Sequence, residues 1–174
     1  MRIALLVCLV CLAAASAAAQ TYEPPPDVAA EQGGTHLGLD GFGVRAGLDF
    51  AHNGRMAVGM TLDAGQLFTA RLRLRGSAEL SVFNGPNVYV GSVEGIYYFT
   101  GPAEATRPYA GLGLGVAGRA SCSADPDCPD LWVNVVLGFE LRFRPTFNWL
   151  LEYHGMDLLR ENRILVGLTT RAGG

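Results

Sequence analysis

From His36 onward, apolar and polar residues alternate in runs of roughly ten, separated by turn-forming residues, and a period of two predicts strands. The first run places Phe42, Val44, Ala46, Leu48 and Phe50 on one parity before His52-Asn53-Gly54, and Asn-Gly is a hairpin signal. Met56, Val58, Met60 and Leu62 return toward a turn expected near Ala64-Gly65. A third run carries Leu72, Leu74, Ala78, Leu80 and Val82 and stops at Asn84-Gly85-Pro86. A fourth carries Tyr89, Val93, Tyr97 and Phe99 into a Gly/Pro loop reaching Pro108. Ala110, Leu112, Leu114 and Val116 form the fifth. The sixth alternates without a break through Leu131, Val133, Val135, Leu137, Phe139, Leu141 and Phe143. Phe147, Trp149, Leu151 and Tyr153 follow a turn at Arg144-Pro145-Thr146, and Ile164, Val166 and Leu168 follow Asp157 to Glu161. Eight such runs in a row predict an all-β fold, an eight-stranded antiparallel up-and-down transmembrane β-barrel spanning residues 36–172.

Alternation alone does not say whether the apolar face meets lipid or a soluble core. The opposite parity favours lipid. It mixes glycines, among them Gly41, Gly43, Gly47, Gly111, Gly113, Gly115 and Gly138, with charge. A barrel of this size has an interior just wide enough for packed side chains, so small residues are useful there. On the same parity stand Arg45, Arg71, Arg73, Arg75, Arg119 and Arg142, against Asp49, Asp63, Glu79, Glu94, Glu140 and Glu152. Charges in so narrow a lumen must be paired to survive desolvation, so this near-balanced set predicts an internal salt-bridge network and a plugged barrel.

The aromatics also sort by position. With a periplasmic N-terminus, Phe42, Phe68, Tyr97, Phe99, Tyr109, Phe143, Phe147 and Trp149 fall toward one end of their strands, and Phe50, Phe83, Tyr89, Trp132 and Tyr153 toward the other. Two aromatic belts are what a membrane barrel places at its two interfaces.

The remaining features concern export and partners. Met1-Arg2, the apolar stretch Ile3 to Ala15 and Ala17-Ala18-Ala19 read as a cleaved signal peptide over residues 1–19. Residues 20–35, with Pro24-Pro25-Pro26, read as a flexible lead-in. After Gln20 no apolar run approaches the ~18 residues of a membrane helix, so a membrane-spanning mature chain must cross as strands. A net charge of −3, with arginine as the only strongly basic residue, offers no basic surface for nucleic acid. Cys122 and Cys128, the two cysteines beyond the signal peptide, are expected to form a disulfide within one loop. The partner expected is outer-membrane lipid, around a monomer.

The alternating runs, the signal peptide, and the segments Trp149-Leu150-Leu151-Glu152-Tyr153 and Ile164-Leu165-Val166-Gly167-Leu168 resemble small outer-membrane β-barrels of the OmpA/OmpX-like, porin-family group. The resemblance covers nearly all the mature chain and rests on pattern. One departure is the C-terminus, Thr170-Arg171-Ala172-Gly173-Gly174, which lacks the final aromatic residue such proteins often carry.

Candidate chemistry is sparse. His154 lies on the inward parity near Glu152, which could act as a base with its orienting carboxylate. Gly155 and Met156 follow it, where outer-membrane lipid A deacylases resemble a histidine-x-serine pattern, so an internal polar role is the better reading. Asp125, Asp127 and Asp130 could ligate calcium but read more simply as a solvated loop. The expectation is therefore a non-enzymatic barrel without cofactor or metal. Its rivals are a soluble lipocalin-like barrel with the apolar parity turned inward around a ligand and, less favoured, a membrane-embedded lipid-modifying enzyme.

Overall fold

The computed structural model describes residues 34–50, 54–82, 87–119 and 128–170. The expected signal peptide, nearly all of the expected lead-in, Phe83 and Cys122 lie outside them, and so does the expected Cys122–Cys128 bridge. The strands are β1 (His36–Asp49), β2 (Arg55–Leu67), β3 (Thr69–Val82), β4 (Val88–Tyr98), β5 (Thr106–Arg119), β6 (Asp130–Arg144), β7 (Phe147–Met156) and β8 (Glu161–Thr170). Each pairs antiparallel with its sequence neighbours, and β8 closes on β1 with Val44 opposite Leu168 and Asp49 opposite Arg163. The eight strands therefore form a closed antiparallel barrel. Closure leaves no sheet edge, which a bilayer would not tolerate because unpaired backbone groups find no water there.

The period of two settles which face is which. Leu48, Met60, Val93, Leu112, Leu114, Leu137 and Val166 all point outward and stay exposed, whereas Arg45, Asp49, Arg75, Glu79, Glu94, Glu152 and Arg163 point inward and are buried. A lipocalin-like barrel requires the reverse distribution, so that rival reading does not fit this chain. An apolar exterior around a polar interior is the inside-out pattern of a membrane barrel.

We call the end where β1 begins and β8 ends the terminal end, and the opposite one the distal end. Outward aromatics mark the terminal end: Tyr97 and Phe99 meet edge to face at 5.6 Å, and Phe143 lies 5.6 Å from Trp149 and 6.3 Å from Phe147. Phe50 and Tyr89 are exposed toward the distal end. Two aromatics assigned above to the belts instead point into the lumen, Tyr109 at 2% exposure and Trp132 at 4%. The alternation itself explains this, since Trp132 stands between outward Leu131 and Val133, and Tyr109 precedes outward-parity Ala110.

The turn expected at Ala64-Gly65 is also displaced. β2 continues to Leu67, and the chain reverses at Phe68, with φ of 60°. Gly65 instead sits in an irregular stretch of the β1–β2 and β2–β3 pairings, with φ of 103°. An added Cβ there would lie 2.1 Å from the carbonyl oxygen of His36, so glycine marks a bulge with close backbone approach.

Candidate functional site

The site that the strands build is the lumen. β1 contributes Asp49 and Arg45, two turns of the alternation apart, and β2 places Arg55 opposite Asp49. β3 brings Arg75, Glu79 and Ser81 inward, β4 brings Ser92 and Glu94, and β7 brings Glu152 and His154. β8 adds Glu161 and Arg163, the latter opposite both Asp49 and His154.

These side chains form tiers. Toward the distal end, Asp49 accepts from Ser81 at 2.9 Å and Arg163 Nε at 3.3 Å, and lies 3.4 Å from Arg55, which also reaches Glu161 at 3.3 Å. At mid-barrel, Arg45 Nη2 donates to Glu79 at 2.5 Å while its Nη1 donates to Glu152. Arg163 Nη1 donates to the other Glu79 oxygen, also at 2.5 Å. The ring nitrogens of His154 stand 3.0 Å from Glu79 and 3.3 Å from Glu152. Arg75 donates to Glu152 and, through Nε, to Glu94 at 2.8 Å. Glu94 also accepts from Ser92 at 2.8 Å and Ser77 at 3.1 Å, and Tyr109 donates to Glu152 at 2.6 Å.

Toward the terminal end, Glu140 accepts from Tyr98 at 2.8 Å and Asn148 at 3.4 Å and faces Arg107 at 3.7 Å. The Arg107 guanidinium lies 3.8 Å from the centre of the Tyr98 ring, a cation–π contact. At the mouth, Arg73 bridges Asp63 at 2.7 Å and Asp40 at 2.6 Å, with all three side chains partly exposed.

Burial raises the stakes of this pairing. A carboxylate or guanidinium removed from water loses several kcal/mol of solvation, which only well-placed partners offset. Each anion at mid-barrel has at least two donors, and the bonds run between strands that are not sheet neighbours: Arg45 on β1 reaches β3 and β7, and Arg75 on β3 reaches β7. The network thus braces the barrel across its interior, in addition to the backbone ladder around its circumference.

Apolar groups close what the ions leave open. Val88, Val90, Ala117, Trp132 and Met156 form one buried cluster toward the distal end. Ile96, Tyr98, Tyr109, Val136 and Leu150 form another, with the Tyr98 and Tyr109 rings 5.1 Å apart. The recess lined by Asp63, Arg75, Tyr98 and Glu140 has a volume of about 20 Å³, room for a water molecule but not a ligand. A larger concavity of about 540 Å³ lies on the wall of β2–β6, bordered by Met60, Gly76, Ala78, Gly91 and Val93.

Of the twelve charged residues expected in the lumen, Arg45, Asp49, Arg75, Glu79, Glu94, Glu140 and Glu152 are buried there, and Asp63 and Arg73 pair at the mouth. Three are placed differently. Arg119 ends β5 and is exposed at the rim, because the strand stops where the lumen opens. Arg142 donates to the carbonyls of Pro102 at 2.7 Å and Ala103 at 3.4 Å, fastening the segment between β4 and β5. Arg71 is half-buried near the start of β3, on the mouth side of Arg73. Arg55, Arg107, Glu161 and Arg163 join the network unforeseen, although their parity was the signal: each lies on the inward parity within the first three residues of its strand. His154, expected in an internal polar role, is 1% exposed inside the network.

No protein-family model and no curated protein sequence matches the chain. Solved structures do. Neisserial surface protein A is 11% identical with a TM-score of 0.58, over 79% of this chain and 99% of that one. The N-terminal β-barrel domain of Pseudomonas aeruginosa OprF is 18% identical with a TM-score of 0.58, over 76% and 98%. The Yersinia pestis outer membrane protein Ail is 13% identical with a TM-score of 0.50, over 76% and 99%. At such identities the likeness is one of fold, and it agrees with the strand count, closure and inside-out polarity described above. The chain has the fold of the small eight-stranded outer-membrane β-barrels.

Proposed function

We propose that this chain is exported through a cleaved signal peptide, residues 1–19, and resides as a monomer in the bacterial outer membrane with a structural or surface-interaction role. The observation that carries the reading is the lumen: buried ion pairs and two apolar clusters fill it along its length, so the interior serves the stability of the barrel and offers no open pore. Interaction with other molecules then falls to the lipid-facing wall and the distal loops. The loop between β5 and β6, with its proposed Cys122–Cys128 bridge, is the longest of these. His154 is committed to Glu79 and Glu152 inside the network, which supports a structural rather than catalytic use of the imidazole.

Membrane fractionation with heat-modifiable gel mobility tests this. Expressed with its leader, the protein should be recovered in the outer membrane and migrate differently unheated and boiled. A freely soluble periplasmic product with no mobility shift would overturn the reading.

A further inference from the structure

The barrel wall is uneven at its distal end. β7 and β8 have 10 residues each, whereas β6 has 15. The pairing of β6 with β7 begins at Val135 opposite Gly155, which puts Asn134 level with Met156, the last residue of β7, so Asp130–Val133 rise beyond its end. The outward residues of β7, Phe147 to Tyr153, span about 20 Å along the strand and about 15 Å along the barrel axis at the usual tilt, against an apolar band about 25 Å tall.

The turn joining these two short strands has an unusual backbone. Asp157, Leu158 and Leu159 have φ values of 48°, 55° and 69°, three successive non-glycine residues in the left-handed region. Such conformations are costly for L-residues and persist where surrounding structure holds them. Here the holding contacts are visible: Tyr153 donates to Asn162 Oδ1 at 2.5 Å, Asn162 Nδ2 donates to the Leu159 carbonyl at 2.9 Å, and Arg160 N donates to the Asp157 carbonyl at 3.1 Å. The result is that Leu159 folds back over Gly155 on the outward face of β7. A Cβ at Gly155 would lie 2.3 Å from Leu159 Cδ2, so glycine at this position admits the leucine. Leu158 is 77% exposed and Leu159 54%. Arg160 extends its side chain, 78% exposed, with a 3.7 Å contact to Asp157 among the described residues.

We propose that the Leu158-Leu159-Arg160 turn is a bilayer-docking element: the leucines extend the apolar wall where β7 and β8 leave it low, and Arg160 engages phosphate-bearing lipid headgroups. The inference rests on the membrane reading above. Lipid is the occupant because Leu159 continues the outward column of Trp149, Leu151 and Tyr153, and because a cation next to the apolar edge is the arrangement that anchors side chains at an interface.

A Leu158→Trp variant, folded into vesicles of phosphatidylcholine and phosphatidylglycerol with bromine on the acyl chains of one lipid at a time, tests it. The position is exposed, so the substitution leaves the barrel intact, and retained heat-modifiable mobility verifies that. Outward Trp149 reports independently on the membrane reading, while Trp132 in the lumen remains a shielded reference. The added emission should be blue-shifted and quenched. Quenching should favour brominated phosphatidylglycerol, by up to about fivefold for one cation, and Arg160→Gln should remove that preference. Added emission that is unquenched and solvent-like while Trp149 is quenched would overturn the proposal alone and leave the turn to a soluble partner. Equal quenching by both lipids would overturn the role of Arg160. An unquenched Trp149 would overturn the membrane reading itself.

Discussion

Arg45 and Glu152 meet at the centre of the barrel, 107 residues apart in the chain, and the same guanidinium holds Glu79 at 2.5 Å. One arginine on β1 thereby ties β3 and β7 together across the lumen. Both partners are fully buried, so neither can fall back on water when the other is removed.

Arg45→Met should therefore cost about 3–5 kcal/mol, because it takes a charged partner from each of two buried carboxylates, Glu79 and Glu152, at once. Glu152→Gln should cost a similar amount. The double variant should lose less than the sum of the two, by at least about 1 kcal/mol, in a double-mutant cycle read from urea unfolding in lipid vesicles. Additive losses would show that the two side chains are energetically independent.

Arg73→Ala makes a graded comparison. Its pairs with Asp63 and Asp40 are near 3 Å or shorter but lie at the mouth, with all three side chains partly exposed. Water can replace the lost partner, so the destabilisation should stay near about 1 kcal/mol, well below that of Arg45→Met in the same assay. An equal loss would mean that the mouth is as dry as the centre.

How much of this was legible in the sequence follows from what alternation encodes. Leu131 to Phe143 gave β6 its outward face, and Arg45, Glu79 and Glu152 fell on the inward parity without any knowledge of pairing. Trp132 and Tyr109 obeyed the same rule, and the expectation of aromatic belts misplaced them because it sorted aromatics by height along the strand without regard to their inward parity. The partners were not legible. Arg163 meets Asp49 only through the β8–β1 closure, a contact across 114 residues, and Arg142 is drawn to Pro102 and Ala103 by a loop whose path no periodicity describes. Gly65 looked like a turn because a bulge and a turn demand the same residue.

The outward face should tolerate charge according to depth. Leu114→Arg, midway along β5, should destabilise the barrel by about 2–4 kcal/mol, whereas Phe68→Arg, at the β2–β3 turn, should cost about 0–1 kcal/mol. Unfolding in vesicles checks both. Equal effects at the two positions would argue against a bilayer around this wall.

Arg142→Ala separates a fastening role from a network role. Losing its two bonds to the β4–β5 segment should raise proteolytic cleavage between residues 99 and 105, while global stability changes by no more than about 1 kcal/mol. A loss on the scale of Arg45→Met would return Arg142 to the braced interior.

The central claim, a barrel whose lumen is filled by ion pairs and apolar clusters, is tested most directly by conductance across planar bilayers. Residues 20–174, refolded, should hold a closed baseline, and the combined Trp132→Ala and Arg45→Met variant, checked by heat-modifiable mobility, should show discrete openings. A steady conductance from the unaltered protein would contradict the sealed lumen.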